Sequence, residues 1–275
     1  MNIFEGILLG ILQGLTEFLP VSSSGHLVLF RGLLGIEGEF LFFDTMLHVG
    51  TLAAVCLVFY KDIVKILKKP FQKLTYMLAL ATVPAVLFTL LFDSFFEGAF
   101  EGKYLGFGFL MTSLVLTLSE KLFDLYKLSG VYGEGKRIKF PDYKEALIMG
   151  VAQGFAIVPG LSRSGSTIAG GIISKVEREG AARFSFLMSI PAILGSVVLQ
   201  SFDLIKNGAP EGLFFWPTFF GTIFAAVSGF FAIRFMYNLV KNKKLYGFAI
   251  YTAILGALVI LDQFVFNFVL TNPLM

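Results

Sequence analysis

Charged residues are scarce in this chain. Asp, Glu, Lys and Arg together make up 15% of its 275 residues, whereas apolar residues make up 56% and the mean hydropathy is +0.79. A soluble domain of this size leaves too much surface in contact with water to hide so many apolar side chains. The composition therefore excludes a soluble globular protein and predicts a protein that crosses a membrane several times.

Cysteine and histidine are also rare, and the excess of positive charge is small. The single cysteine, Cys56, excludes an intrachain disulfide. A formal net charge of +3 is too small to indicate nucleic acid as a partner. The only two histidines, His26 and His48, both lie in the first fifth of the chain.

Six apolar tracts are long enough to span a membrane, because a helix needs about 20 residues to cross the roughly 30 Å hydrocarbon core. They cover residues 41–60, 75–92, 104–120, 181–200, 214–236 and 246–268. Two further regions, 2–30 and 143–172, each break at a proline followed by serines and glycines. Each region is predicted to form two short helices that enter and leave the bilayer from the same side. The predicted fold is an all-α polytopic membrane protein with six transmembrane helices and two re-entrant helical hairpins.

Lysine and arginine collect in the loops on one side of the predicted spans. These basic segments are residues 61–73, 121–144, 175–183 and 241–244. The opposite side receives both termini and the loops Asp93–Lys103 and Asp203–Glu211. Because positively charged loops stay in the cytoplasm, both termini are predicted to lie on the extracytoplasmic side, and the first hairpin is predicted to enter the membrane from that side, which places the substrate chemistry there.

The two hairpins coincide when one is shifted by 140 residues, and the identical positions are all polar or glycine. Glu5, Gly10, Gln13, Gly14, Ser22, Ser24 and Gly25 fall on Glu145, Gly150, Gln153, Gly154, Ser162, Ser164 and Gly165. Three spans separate the copies, so the second copy runs upside down. We predict one membrane domain, 1–275, built as an inverted-topology repeat of residues 1–140 and 141–275, whose hairpin tips meet within the membrane.

At each tip a helix starts in a run of residues that favour the N-cap. Such a start presents unpaired N–H groups and about half a positive charge, and it binds phosphate. Arg163 adds a permanent, forked cation that suits phosphate oxygens, Glu17 could hold a divalent cation, and His26 titrates near neutral pH. The predicted phosphate-binding residues are Ser22, Ser24, Gly25, Ser162, Ser164, Gly165 and Thr167, with simple helix capping as the alternative role of the hydroxyl groups.

Two segments at these tips carry a resemblance. The stretch "QGLTEFLPVSS", which contains Gln13 and Glu17 and is followed by His26, fits a motif of the form (E/Q)xxxE. The stretch "PGLSRSGST", from Pro159 to Thr167, fits PGxSRSxxT. Together with the length, the span count and the duplicated hairpins, the chain resembles the bacterial undecaprenyl-pyrophosphate phosphatase family of the bacitracin-resistance type.

The resemblance implies an enzyme of the bacterial cell membrane that hydrolyses a long-chain polyprenyl diphosphate to the monophosphate and phosphate, and so recycles the lipid carrier of peptidoglycan synthesis. A divalent cation, Mg²⁺ or Ca²⁺, is expected to assist. The expected catalytic residues are Glu17, Ser23, His26 and Arg163: either Ser23 attacks, activated by His26, or His26 activates a water. The expected metal ligands are Glu17 and Gln13, although the amide of Gln13 does not replace a second carboxylate.

Other interpretations differ in what they require. An inverted repeat with paired hairpins is also typical of transporters, which bind an anion but need no nucleophile. The membrane acid phosphatases have PSGH and SRxxxxxH motifs, which need a histidine after the arginine; none follows His48 here, so that class is excluded. Asp44 and His48, four residues apart, are interpreted as forming a helix–helix hydrogen bond, with a supporting role behind the site as the alternative. The oligomeric state stays open, a homodimer included.

Overall fold

The computed structural model describes residues 1–38, 40–91, 104–130, 138–207, 214–266 and 268–270. Within these ranges the chain forms eleven α-helices and one π-helical segment. The helices are α1 (Ile3–Phe18), α2 (Ser23–Leu34), α3 (Leu41–Val58), α4 (Tyr60–Lys68), α5 (Lys73–Leu91), α6 (Leu105–Leu128), α7 (Tyr143–Phe155), α8 (Arg163–Ile173), α9 (Arg178–Asn207), α10 (Phe215–Asn242) and α11 (Tyr246–Leu261), followed by the π-helix Asp262–Phe266. Over the described part of the chain the predicted all-α fold is confirmed.

Six of these helices are long and apolar enough to cross a membrane. The stretches that qualify are Leu41–Val58, Lys73–Leu91, Leu105–Leu128, Arg178–Leu199, Phe215–Asn242 and Tyr246–Phe266. They coincide with the six predicted tracts, so the multi-pass architecture is confirmed. Three ends differ, because hydropathy marks the apolar part of a helix and not its end. α10 continues to Asn242, beyond the predicted end at residue 236. α6 continues to Leu128, and α9 stays helical to Asn207, inside the predicted loop Asp203–Glu211. The predicted loop Asp93–Lys103 lies outside the described residues.

The two regions with a central proline form pairs of short helices, as predicted. α1 and α2 have 16 and 12 residues, and α7 and α8 have 13 and 11. Each is shorter than the roughly 20 residues that span a bilayer. The first break follows from Pro20, which holds Leu19 in an extended conformation and so ends α1. These short pairs are compatible with re-entrant hairpins, and the side from which each enters the membrane stays a prediction.

The two hairpins also begin and turn in the same way. α1 starts with a capping box between Asn2 and Glu5, and α7 starts with one between Asp142 and Glu145. In each box the side chain of the first residue accepts a backbone N–H of the first turn, and the glutamate accepts the N–H of the capping residue. The 140-residue spacing between Glu5 and Glu145 therefore corresponds to a repeated local structure.

The packing of the helices follows the same correspondence. α1 lies against α10, and α7 lies against α5, so each hairpin packs on a span of the other half. Likewise α3 contacts α10, α9 contacts α5, and α6 contacts α11. This exchange of helices is compatible with the predicted inverted repeat, and the boundary at residue 140 stays a prediction.

Glycines make the close approach of the hairpins possible. A Cβ atom on Gly10 would lie 2.2 Å from the carbonyl oxygen of Gly221 in α10. At the equivalent position, a Cβ on Gly150 would lie 2.4 Å from the carbonyl oxygen of Ala81 in α5. Small residues of this kind let helix backbones pack closely where no water drives the helices together. The hairpins are thus held at fixed positions against the spans.

Candidate active site

The loops at the two hairpin tips are in direct contact, as predicted. The N–H of Gly160, in the second loop, donates to Ser22 Oγ in the first loop at 3.1 Å. In return, the hydroxyl of Ser164 donates to the carbonyl oxygen of Leu19 at 3.0 Å. Both Ser22 and Ser164 are buried, and hydrogen bonds between buried groups are costly to break. The ends of α2 and α8 are therefore fixed relative to each other.

Unusual backbone angles turn the chain at both tips. Gly160 has a φ of 89°, a region that favours glycine, and a Cβ there would lie 2.4 Å from the carbonyl oxygen of Leu105. Ser22 has a φ of 70°, which is uncommon for a residue with a side chain. Residues held in such conformations often lie at functional sites, where the surrounding structure maintains the strain.

Glu17 is the centre of the site. This residue lies in the last turn of α1 with 6% of its surface exposed, and four side chains surround its carboxylate. Oε1 accepts from the guanidinium of Arg163, while Oε2 accepts from the hydroxyl of Ser23 at 2.5 Å. The remaining two partners are Gln13 Nε2 at 2.9 Å and His48 Nε2 at 3.6 Å. A buried carboxylate is costly unless it is paired and hydrogen-bonded, and Glu17 is paired across the boundary between the two halves.

Arg163 opens α8, where the side chain of Ser162 caps the helix by accepting the N–H of Gly165 at 3.0 Å. The side chain of Arg163 is 22% exposed and reaches from the second hairpin to Glu17 in the first. A guanidinium has five N–H donors, and the contact with Glu17 uses Nη2. The guanidinium therefore has further donors with which it could bind an anionic group.

His26 lies in the first turn of α2 and is 2% exposed. Its Nδ1 lies 2.7 Å from the carbonyl oxygen of Ser22, and its Nε2 lies 2.7 Å from the hydroxyl of Tyr251. Because a carbonyl only accepts, Nδ1 carries the proton, and Nε2 of the neutral ring accepts from Tyr251. The partner of Ser23 in this structure is thus Glu17 and not His26, which differs from the expected activation of Ser23 by the imidazole.

Of the two residues predicted to form a helix–helix hydrogen bond, Asp44 makes one, with Arg31 of α2, whereas His48 points toward the site. Its Nδ1 donates to the carbonyl oxygen of Asp44 in the same helix at 2.7 Å, which turns Nε2 toward Glu17. The side chain of Asp44 pairs instead with Arg31, at 2.6 Å. The supporting role that the sequence left as the alternative for His48 is therefore the one that the geometry favours.

The small residues predicted to bind phosphate are engaged in building the loops. The hydroxyls of Ser24 and Ser164 lie 3.4 Å and 3.3 Å from those of Ser22 and Ser162, respectively. The N–H groups of Gly25 and Gly165 donate to the same two capping serines. Thr167 donates within α8 and contacts Ser185 Oγ of α9 at 2.6 Å. These contacts match the capping alternative, and a role in phosphate binding stays a prediction.

The expected metal ligands also lie side by side. Gln13 is fully buried, and although its Nε2 donates to Glu17, its Oε1 has no hydrogen-bond partner in the described structure. An unpartnered amide oxygen next to a carboxylate fits Mg²⁺ or Ca²⁺, which prefer oxygen ligands. Within the described residues, no group of three or more His, Cys, Asp or Glu side chains could enclose a metal ion. A cation at this site would therefore need further oxygens from a substrate.

His48 and Tyr251 both lie near the site, but only His48 could have been identified as a candidate from the sequence. His48 carries an ionisable group within a span, which is itself a signal of function. Tyr251 carries no such signal, since tyrosine is common in membrane helices. Only the fold brings Tyr251 of α11 next to His26, with the rings stacked at a centroid distance of 5.8 Å.

Comparisons with known proteins identify the family of this chain. A family model described as "Bacitracin resistance protein BacA" matches residues 6–258. The chain is 43% identical over 264 residues to the undecaprenyl-diphosphatase of Halothermothrix orenii, covering 95% of this chain and 98% of that protein. It is 42% identical to the undecaprenyl-diphosphatase of Carboxydothermus hydrogenoformans, with coverage of 96% and 98%. The resemblance predicted from the two motifs is confirmed, and the chain belongs to the bacitracin resistance protein BacA family.

Proposed function

We propose that this protein is a membrane phosphatase that hydrolyses undecaprenyl diphosphate to undecaprenyl phosphate and inorganic phosphate. Its similarity to undecaprenyl-diphosphatases over nearly the whole chain supports this activity, which would recycle the lipid carrier of peptidoglycan synthesis and confer resistance to bacitracin. The observation that carries the proposal is the contact of Glu17 with both Arg163 and Ser23. A guanidinium, a carboxylate and a hydroxyl group are therefore in contact next to two helix starts. These are groups that can bind and transfer a phosphoryl group.

In this proposal Arg163 and the first turns of α2 and α8 bind the diphosphate. Phosphoryl transfer depends mainly on positioning and on stabilising negative charge, because the transition state spreads charge over the phosphoryl oxygens. The guanidinium supplies a permanent positive charge, and the helix starts supply N–H groups with a partial positive charge. The contacts between the loops keep these groups in place before substrate arrives, which lowers the reorganisation required during reaction.

Two routes remain for the attack on phosphorus. In the first route, Ser23 Oγ bonds to the terminal phosphorus as the bond to the bridging oxygen breaks, and the hydroxyl proton passes to Glu17. Undecaprenyl phosphate leaves, and water then hydrolyses the phosphoserine to release phosphate and restore Ser23. In the second route, a water activated by His26 attacks directly. The hydrogen bond from Ser23 to Glu17 supports the first route, and a phosphoenzyme trapped by rapid quenching would distinguish the two routes.

We further propose that a divalent cation, Mg²⁺ or Ca²⁺, binds with Glu17 and Gln13. The buried, unpartnered Oε1 of Gln13 supports this assignment. When bound, such an ion would neutralise charge on the diphosphate, whose oxygens would complete its ligands. Arg163 supplies one positive charge to the site without the ion. Glu17 and Gln13 would hold the ion, and the hydrogen bond between them orients both side chains.

The proposed location is the bacterial plasma membrane, with both termini and the active site on the extracytoplasmic side. The support is the concentration of lysine and arginine in the loops at the opposite end of the spans. Cleavage of diphosphate lipid confined to the outer leaflet of oriented vesicles is the expected result, and cleavage confined to the inner leaflet would contradict it.

The second candidate is a transporter of an anionic lipid, which the exchange of hairpins between the two halves favours. A transporter would not need the contact between Ser23 and Glu17. The distinguishing experiment is phosphate release by detergent-purified protein from undecaprenyl diphosphate, with and without chelator. The phosphatase releases phosphate without a membrane to cross, and chelator is expected to slow it. Undetectable phosphate release with Mg²⁺ or Ca²⁺ present would reject the phosphatase.

A further inference from the structure

A second pocket, of about 570 Å³, lies at the lysine-rich end of the spans. It is formed where α3 ends and α4 begins, together with the first turns of α9 and the last turns of α10. Three basic residues line it, Lys61, Arg183 and Arg234, and Asp62 is the acidic residue among its lining side chains. The lining has a formal charge of +2, so the pocket is suited to an anion.

An aromatic layer separates this pocket from Glu17. Phe59 lines the pocket, and its ring centroid lies 6.2 Å from that of Phe186. Phe186 in turn contacts Phe18, the neighbour of Glu17, edge to face at 5.6 Å. The pocket and the candidate active site are therefore distinct, and an anion bound in the pocket does not reach the catalytic groups.

The charges in the pocket are unequally paired. Arg183 donates to both oxygens of Asp62, at 2.6 Å and 2.8 Å, so that pair is neutral. Over the described residues, neither Lys61 nor Arg234 has a carboxylate partner within ion-pair distance. Lys61 Nζ lies 5.9 Å from the ring centroid of Tyr60, and the Arg234 guanidinium carbon lies 4.4 Å from that of Phe230. These two exposed cations are left to attract a ligand.

The surroundings of Arg234 indicate that the ligand is a lipid. Arg234 lies eight residues before the end of α10, which is about two turns into a membrane-spanning helix. Its neighbours Phe231 and Phe235 are 63% and 56% exposed, so apolar surface adjoins the basic pocket on the outer side of the helix. Basic pockets between membrane helices, next to apolar surface, bind the headgroups of anionic lipids.

We propose that this pocket binds the phosphate group of an anionic membrane phospholipid, with Lys61 and Arg234 pairing with the phosphate oxygens. The acyl chains would lie along α10 at Phe231 and Phe235. Asn238, which also lines the pocket, carries an amide suited to hydrogen-bond the headgroup. This lipid is not the substrate, and the inference does not depend on the proposed function of the other site.

The test is the affinity of the full-length purified protein for phosphatidylglycerol, titrated in detergent and measured by native mass spectrometry. Lys61→Gln and Arg234→Gln are each expected to weaken binding about fivefold, and the double variant about 25-fold, since a basic residue near a membrane surface contributes roughly 1 kcal/mol to anionic lipid binding. Lys65→Gln on α4 is the matched control, and it is expected to bind like wild type, because Lys65 does not line the pocket.

Further measurements determine whether the pocket binds the phosphate group of a lipid or free inorganic phosphate. Inorganic phosphate at millimolar concentration is not expected to displace the lipid, because it makes no apolar contact. Displacement at equal affinity would overturn the lipid assignment in favour of free phosphate. Equal binding by wild type and both single variants would overturn the site altogether. Lys61 and Arg234 are exposed, so the single variants are expected to fold and to release phosphate from undecaprenyl diphosphate like wild type.

Discussion

Replacing Glu17 by glutamine tests the centre of the site with little change of volume. The glutamate accepts from three donors: Arg163, Ser23 at 2.5 Å and Gln13 at 2.9 Å. A glutamine keeps one acceptor oxygen and places an NH₂ group where the other oxygen was. At least one of these donors then faces the NH₂ group, and Arg163 loses the negative charge with which it pairs.

The expected loss of kcat/KM follows from what the carboxylate does. A positioned general base contributes about 10²- to 10⁴-fold to rate, which corresponds to roughly 3–5 kcal/mol of transition-state stabilisation. Breaking a buried ion pair is destabilising by about 3–5 kcal/mol. The cost to folding is expected at the low end here, because the side chain of Arg163 is 22% exposed and water can solvate it. The variant should therefore fold, with a lowered Tm.

The assay is phosphate release from undecaprenyl diphosphate by the purified variant, with Tm measured on the same sample. Glu5→Gln is the matched control: it makes the same change on the same helix, in the capping box with Asn2. Glutamine also serves in a capping box, so the control should retain wild-type kcat/KM. A folded Glu17→Gln variant with more than one-tenth of wild-type kcat/KM would refute the role given to this carboxylate.

Three further variants test neighbouring parts of the site. Ser23→Ala should abolish a phosphoenzyme trapped by rapid quenching, and wild type that never accumulates one under any quench would favour the water route. Tyr251→Phe keeps the stacked ring but removes the hydrogen bond to His26. Because one hydrogen bond contributes ~0.5–1.5 kcal/mol, kcat/KM should fall about 2- to 13-fold. An unchanged rate and pH profile would show that Tyr251 does not position the imidazole. Gly10→Ala should destabilise the fold by about 1–3 kcal/mol through its collision with α10, whereas Gly247→Ala, with open space around it, should not; equal Tm values would contradict the packing described.

Much of the architecture follows from hydropathy alone. The six apolar tracts became six helices because burial in lipid requires about 20 apolar residues in one stretch, and few other structures satisfy that requirement. The break at Pro20 was visible for another reason, since proline disfavours helix at the residue before it, here Leu19. Helix ends were less accessible: Leu128 and Asn207 lie beyond the apolar stretch, where the helix continues without a hydropathy signal.

The sequence indicates which residues belong to the candidate site, but not which of them contact one another. Glu17 and Arg163 stood out because charges are rare in an apolar chain. Which atom faces which depends on packing between distant helices: Ser23 reaches Glu17 and not His26, and His26 finds Tyr251, 225 residues away. No spacing within the sequence encodes such a contact.

The most direct test of the central claim, that Glu17 and Arg163 of the two hairpins act as one catalytic unit, is a double-mutant cycle on phosphate release. Kcat/KM is measured for wild type, Glu17→Gln, Arg163→Gln and the double variant. Groups that act as a unit lose their effect together, so the double variant should be no slower than the slower single variant. Losses that multiply in the double variant, as expected for independent groups, would contradict the account.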